Sequence, residues 1–118
     1  MRRSFSVLLL LGLVLLPALA QDAVKVDPGH YTVLFENDQV RVLVIIYGPH
    51  EKSVMHHHPD SVAVFLTDQR ARFGLPDGQS EEIEAKAGTA LWIPGGNHLP
   101  ENLSDKPFEV ILVELKTK

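Results

Sequence analysis

From Tyr31 onward the chain is a series of short apolar runs rich in β-branched and aromatic residues, each closed by turn-forming residues. Tyr31 to Glu36 reads as a strand broken by Asn37-Asp38, and Val40 to Tyr47 (VRVLVIIY) as a second stopped by Gly48-Pro49. Val62 to Thr67, Arg70 to Leu75, Glu81 to Ala85, Ala90 to Pro94 and Phe108 to Leu115 follow the same habit. Pro76-Asp77-Gly78 marks a tight turn. In Arg70-Ala71-Arg72-Phe73 and Glu82-Ile83-Glu84-Ala85 polar and apolar residues alternate, which wets one face of a sheet and buries the other. No comparable helical stripe follows residue 20. About eight short strands in under a hundred residues predict an all-β sandwich or barrel.

The first twenty residues follow a different pattern. Met1-Arg2-Arg3 is basic, Val7 to Leu16 is almost wholly apolar, and Pro17-Ala18-Leu19-Ala20 ends in small residues, the order of a cleavable secretory signal. The apolar run is shorter than the roughly 20 residues of a bilayer span. The sequence therefore predicts a signal peptide over 1–20, a single domain over 21–118, and a periplasmic or secreted product with no stable membrane insertion after cleavage. Residues 21 to 118 hold nine basic and fifteen acidic side chains, a net −6 without any basic run, so nucleic acid is a poor partner. With no cysteine, stability must come from an apolar core, a metal or self-association, and a homodimer fits so small a domain.

Half of the six histidines stand together in Val54-Met55-His56-His57-His58-Pro59-Asp60. Side chains two apart on a strand share a face, so His56 and His58 can close on one ion while His57 points away. A first-row divalent metal needs at least a third ligand, and His98 in Pro94-Gly95-Gly96-Asn97-His98 is available downstream.

These segments resemble the small single-domain cupins, whose first motif is G(x)nHxH(x)3-4E and whose second is G(x)5PxG(x)2H(x)3N. Gly48 and His56-His57-His58 match the start of the first. Gly88, Pro94, Gly95 or Gly96, His98 and Asn102 match the second, with one residue missing between Pro94 and His98. The resemblance spans residues 21–118 and implies a jelly-roll barrel, or double-stranded β-helix. It also implies a divalent transition metal (Fe, Mn, Zn, Ni or Cu) held in the barrel mouth by His56, His58 and His98.

The chain departs from the pattern where the family has its glutamate, because that position falls on Val62 or Ala63. Three neutral imidazoles leave the ion's charge uncompensated and make it a stronger Lewis acid. Some iron-dependent cupin oxygenases work with three histidines. Asp60, Glu101 and His57 are accessory candidates near the site, and Asn102 is expected to brace the loop carrying His98. Trp92 reads as core, and His30 and His50 as exposed turn residues. Tyr47, Phe65, Phe73 and Phe108 read as core or pocket lining. Two functions follow: a metalloenzyme acting on a small organic substrate by dioxygenase-like, isomerase or lyase chemistry, or a non-catalytic module binding a metal or small ligand.

Overall fold

A computed structural model describes residues 21–117; the expected signal segment over 1–20 lies outside them. Nine strands follow a one-turn helix, α1 (Ala23–Val26): β1 Tyr31–Glu36, β2 Val40–Tyr47, β3 His56–His58, β4 Ser61–Phe65, β5 Gln69–Gly74, β6 Ser80–Ala85, β7 Ala90–Ile93, β8 Gly96–Asn102 and β9 Phe108–Leu115. They form a five-stranded sheet in the order β1-β2-β9-β4-β7 and a four-stranded sheet in the order β3-β8-β5-β6. Every pairing between strands is antiparallel. Consecutive strands repeatedly fall in different sheets, which is how a jelly roll closes a barrel without long exposed edges.

Alternation places the core. Leu43, Ile45 and Tyr47 of β2, Ala63 and Phe65 of β4, and Phe108, Val110 and Leu112 of β9 are buried. Their neighbours Val44, Val62, Val64 and Ile111 stand on the outer face. The four-stranded sheet contributes Ala71 and Ala85, with Phe73 and Ile83 packed partly against the cluster. Between the two layers lies a cavity, lined from this sheet by Phe73 and Ile83. Trp92 sits on β7 with 54 % of its surface exposed, which corrects the expectation of a core residue: it is opposite Val62 in the register and shares its outward phase. Among the described residues, no helix is long and apolar enough to cross a membrane.

Two local features position β8. Gly88 precedes β7 with a φ of 85°, a left-handed conformation that glycine adopts without penalty. Gly95 packs so closely beneath the β3–β4 turn that a Cβ there would lie 3.0 Å from the Asp60 backbone nitrogen and 3.2 Å from the Pro59 carbonyl carbon.

Candidate metal centre

Strand pairing brings the histidines together. β3 and β8 run antiparallel with His56 opposite His98 and His58 opposite Gly96, so two imidazoles of β3 stand beside one of β8. The burial of β3 alternates buried, exposed, buried, and His57 points away as its parity requires, its Nδ1 2.9 Å from Asn97 Oδ1. The three inward rings lie with centroids 4.8 Å apart for His56–His58 and His56–His98, and 5.2 Å for His58–His98, at interplanar angles of 78° to 86°. One ring nitrogen from each falls within 4.8 Å of the others.

The second ring nitrogens are already occupied. His56 Nδ1 donates to the Val54 carbonyl at 2.8 Å, and His58 Nδ1 lies 2.7 Å from Glu114 Oε2. Both rings therefore present Nε2 inward. His56 Nε2 stands 3.1 Å from His98 Nε2, about the separation of two nitrogens that share an ion at roughly 2.1 Å each. In the metal-free protein that contact is a hydrogen bond, with His56 accepting because its Nδ1 holds its proton. A cation held there would replace this hydrogen bond, with both Nε2 atoms turned to the ion. Burial, followed by the neighbouring His58, lowers the His56 pKa to about 4. Burial and the charges of His58, His56 and His57 lower that of His98 to about 3. Both are neutral at physiological pH, the state a metal ligand requires.

Glu114, buried on β9, is the functional residue that the sequence motifs do not mark. It takes His58 on one oxygen and the Arg41 Nε at 2.6 Å on the other, and Arg41 in turn pairs with Asp22. Burial alone would raise the Glu114 pKa, but the hydrogen bonds from His58 and Arg41 outweigh it and hold the carboxylate ionised. Glu114, Arg41 and Asp22 together carry one net negative charge behind the histidines. The signal for Glu114 lies in the alternation of β9, where Phe108, Val110 and Leu112 point inward and Glu114 occupies the next inward position.

The accessory candidates fall elsewhere. Asp60 is exposed and its Oδ1 accepts from the Gly95 amide at 2.6 Å, bracing the turn into β8. Glu101 alternates away from His98 on β8 and faces Arg72 at 3.9 Å. Neither belongs to the cluster, whose only members among the described residues are the three histidines. Asn102 is buried and donates to the carbonyls of Gly48 and Lys106 while accepting from Ser104. It ties the turn after β8 to the end of β2; His98 itself rides on a strand, not on a loop. Ala63, not Val62, is the position facing inward where the cupin pattern has its glutamate.

His30 is a second departure. It stacks on Tyr47 with centroids 4.2 Å apart and bridges Asp27 and Glu51 at 2.7 Å each. His50 is 59 % exposed beside Asp105, as expected of a turn residue.

His58 and His98 open onto a cavity of about 380 Å³ whose walls include Tyr47, Phe65, Phe73 and Phe108. Tyr31 and Tyr47 share a hydrogen bond between hydroxyls at 2.6 Å, and the Tyr31 ring packs edge-on against His56 at 4.9 Å. Burial pushes both phenols above their ordinary range, so they are neutral donors and not bases.

No protein-family model and no curated protein matches the chain. Solved structures do. A cupin domain from Bordetella pertussis Tohama I is 28 % identical with a TM-score of 0.68, over 74 % of this chain and 92 % of that one. An RmlC-like cupin family protein with a double-stranded β-helix fold from Methanocaldococcus jannaschii is 16 % identical with a TM-score of 0.59, over 73 % and 78 %. A Cupin 2 conserved barrel domain protein from Salinispora arenicola is 22 % identical with a TM-score of 0.53, over 74 % of each chain.

Proposed function

For a chain that folds as a small cupin domain, we propose a metalloenzyme that holds one divalent transition metal on His56, His58 and His98 and acts on a small organic molecule in the adjoining cavity. The observation that carries this reading is the convergence of three inward imidazoles at the wall of an apolar chamber. Three nitrogen ligands leave coordination positions open, and a bound ion there would supply Lewis-acid or redox chemistry of a dioxygenase-like, isomerase or lyase kind. The chain's own residues supply the rest. Glu114 orients His58 and offsets the ion's charge, as a carboxylate behind a metal-binding histidine does elsewhere. The Tyr31–Tyr47 pair offers hydroxyl donors beside the site, and the aromatic walls exclude water from an apolar substrate.

Export to the periplasm or exterior is part of the same proposal, supported by the basic, apolar and small-residue order of residues 1–20. There iron(II) competes with copper and zinc, which imidazoles bind more tightly.

Assaying the protein reconstituted with Fe(II), Mn(II), Ni(II), Cu(II) or Zn(II) against a panel of small phenols, diketones and hydroxy acids tests the reading. Turnover should require one of these ions and vanish in His58→Ala. Metal-loaded protein that binds panel members without converting any of them would favour a binding module instead.

A further inference from the structure

The outer faces of the two sheets differ in kind. On the four-stranded sheet the outward positions carry Arg70 and Arg72 of β5, Glu82 and Glu84 of β6, and Glu101 of β8, with Arg72 paired to Glu82 at 3.1 Å. That face is made for water. On the five-stranded sheet the register aligns Phe35, Val42, Val113, Val62 and Trp92 in one row across all five strands. Beside it Thr32, Val44, Ile111, Val64 and Ala90 form a second row. Ile46, Leu66 and Leu115 extend the same apolar surface and are all exposed. Among the described residues of this face, only Thr32 and Glu109, near the start of β9, are polar.

A β-bulge places Phe35 in the first row. Tyr31 and Val33 pair with Ile45 and Leu43, which point into the core, and unbroken alternation would carry Phe35 inward as well. The register shift between Val33 and Phe35 turns the ring outward instead. Phe35 and Trp92, at opposite ends of the row, are each 54 % exposed. An antiparallel sheet with one wet face carries polar residues on it, and a contiguous apolar face in their place marks an interaction site. Taking about 200 Å² for a whole aromatic side chain as the scale, the face offers on the order of 700 Å² of apolar surface, close to the roughly 800 Å² that each partner buries in a stable pair.

The character of the face selects its occupant. It is nearly uncharged, so it has little with which to steer or pair a charged partner. The net −6 of residues 21–118 opposes an anionic lipid surface. It spans five strands and is not a groove, so a single helix or extended peptide would leave most of it uncovered. A second copy supplies a face of the same breadth and the same lack of charge, and two such sheets pack with their outward residues interdigitated. We propose that two copies of this chain associate face to face through the outer surfaces of their five-stranded sheets, about a two-fold axis, with Phe35 and Trp92 as the anchors of the contact. His56 and His98 belong to the other sheet, so the association holds with or without a bound metal.

Trp92 is the chain's sole tryptophan, so its emission reports on this face alone. Sedimentation equilibrium and fluorescence of the full chain, followed together from about 0.1 to 100 µM, bracket a micromolar dissociation constant. The expected result is a species of twice the chain mass at the high end, with blue-shifted emission that moves to the red at the same midpoint as the mass falls. Phe35→Glu and Trp92→Glu change residues that are exposed in the single chain, yet each should weaken association by about 100-fold or more, because pairing would bury a charge. Phe35→Glu should also show the red-shifted emission throughout. Glu84→Ala, on the other outer face, should leave mass and emission unchanged. Circular dichroism checks that the variants fold; Phe35→Ser and Trp92→Gln, which remove the rings without adding charge, replace either one that does not and should weaken association by about tenfold. A wild type that stays monomeric at the highest concentration, a dimer whose Trp92 emission is that of exposed indole, or association undiminished in both variants would overturn the proposal. A monomer with shielded Trp92 would overturn it too, in favour of another segment or partner on the face.

Discussion

Glu114 changes what the missing glutamate means. The cupin pattern puts a carboxylate on the metal, and here Ala63 occupies the inward position while a carboxylate from a different strand stands behind His58. A carboxylate charge is kept behind His58, which would leave a coordination position open on a bound ion. Glu114→Gln keeps one oxygen to accept from His58 but turns an amide N–H toward the Arg41 donor, so it should cost some stability and weaken metal binding by about 10- to 100-fold. Competition against a chromophoric chelator measures it, and His57→Ala, which alters an outward ring, should leave the affinity unchanged. The histidine triad was legible from parity and motif spacing. Glu114 was not, because no motif includes it; only the phase of β9 singles out a carboxylate among inward apolar residues. His30 was likewise read as an exposed turn residue because Tyr47 and Glu51 reach it only through the folded β1–β2 pairing.

At the level of elements, the strands with β-branched runs lie where the alternation predicts them, within a residue or two at their ends. β8 was the exception. Gly96, Asn97 and Pro100 are poor strand formers, and the segment is a strand because β3 and β5 flank it on both sides; tertiary pairing overrides propensity. The turn entering β8 depends on contact as much as on sequence. In Gly95→Ala the new Cβ would meet backbone atoms of Pro59 and Asp60 that cannot rotate aside, and β8 would have to shift relative to β3. A loss of roughly 1–3 kcal/mol in stability is expected, together with weaker metal binding because His98 moves with the strand. Denaturant melts and metal titration of the same sample check both.

For the whole molecule, stability depends on ties between distant segments that replace absent disulfides. His30 joins the turn after α1 to the loop between β2 and β3 through Asp27 and Glu51. Burial alone would lower its pKa, but the hydrogen bonds and charges of Glu51 and Asp27 win and raise it. A pKa raised in the folded state stabilises fully below the unfolded value, near 6.5 for histidine, and that contribution fades as pH rises through the folded value. The stability difference between wild type and His30→Gln should therefore be largest at mildly acid pH and shrink above about pH 6.5. Denaturant melts across pH 5.5 to 8.5 read this directly, and a difference that grew with pH would contradict it.

The convergence of His56, His58 and His98 makes them one candidate site for one divalent ion. Calorimetric titration of the metal-free protein with Zn²⁺ tests it most directly. One equivalent should bind as the His98–His56 hydrogen bond gives way, and that binding should be lost in His98→Ala. No stoichiometric binding, or binding that survives His98→Ala undiminished, would contradict it.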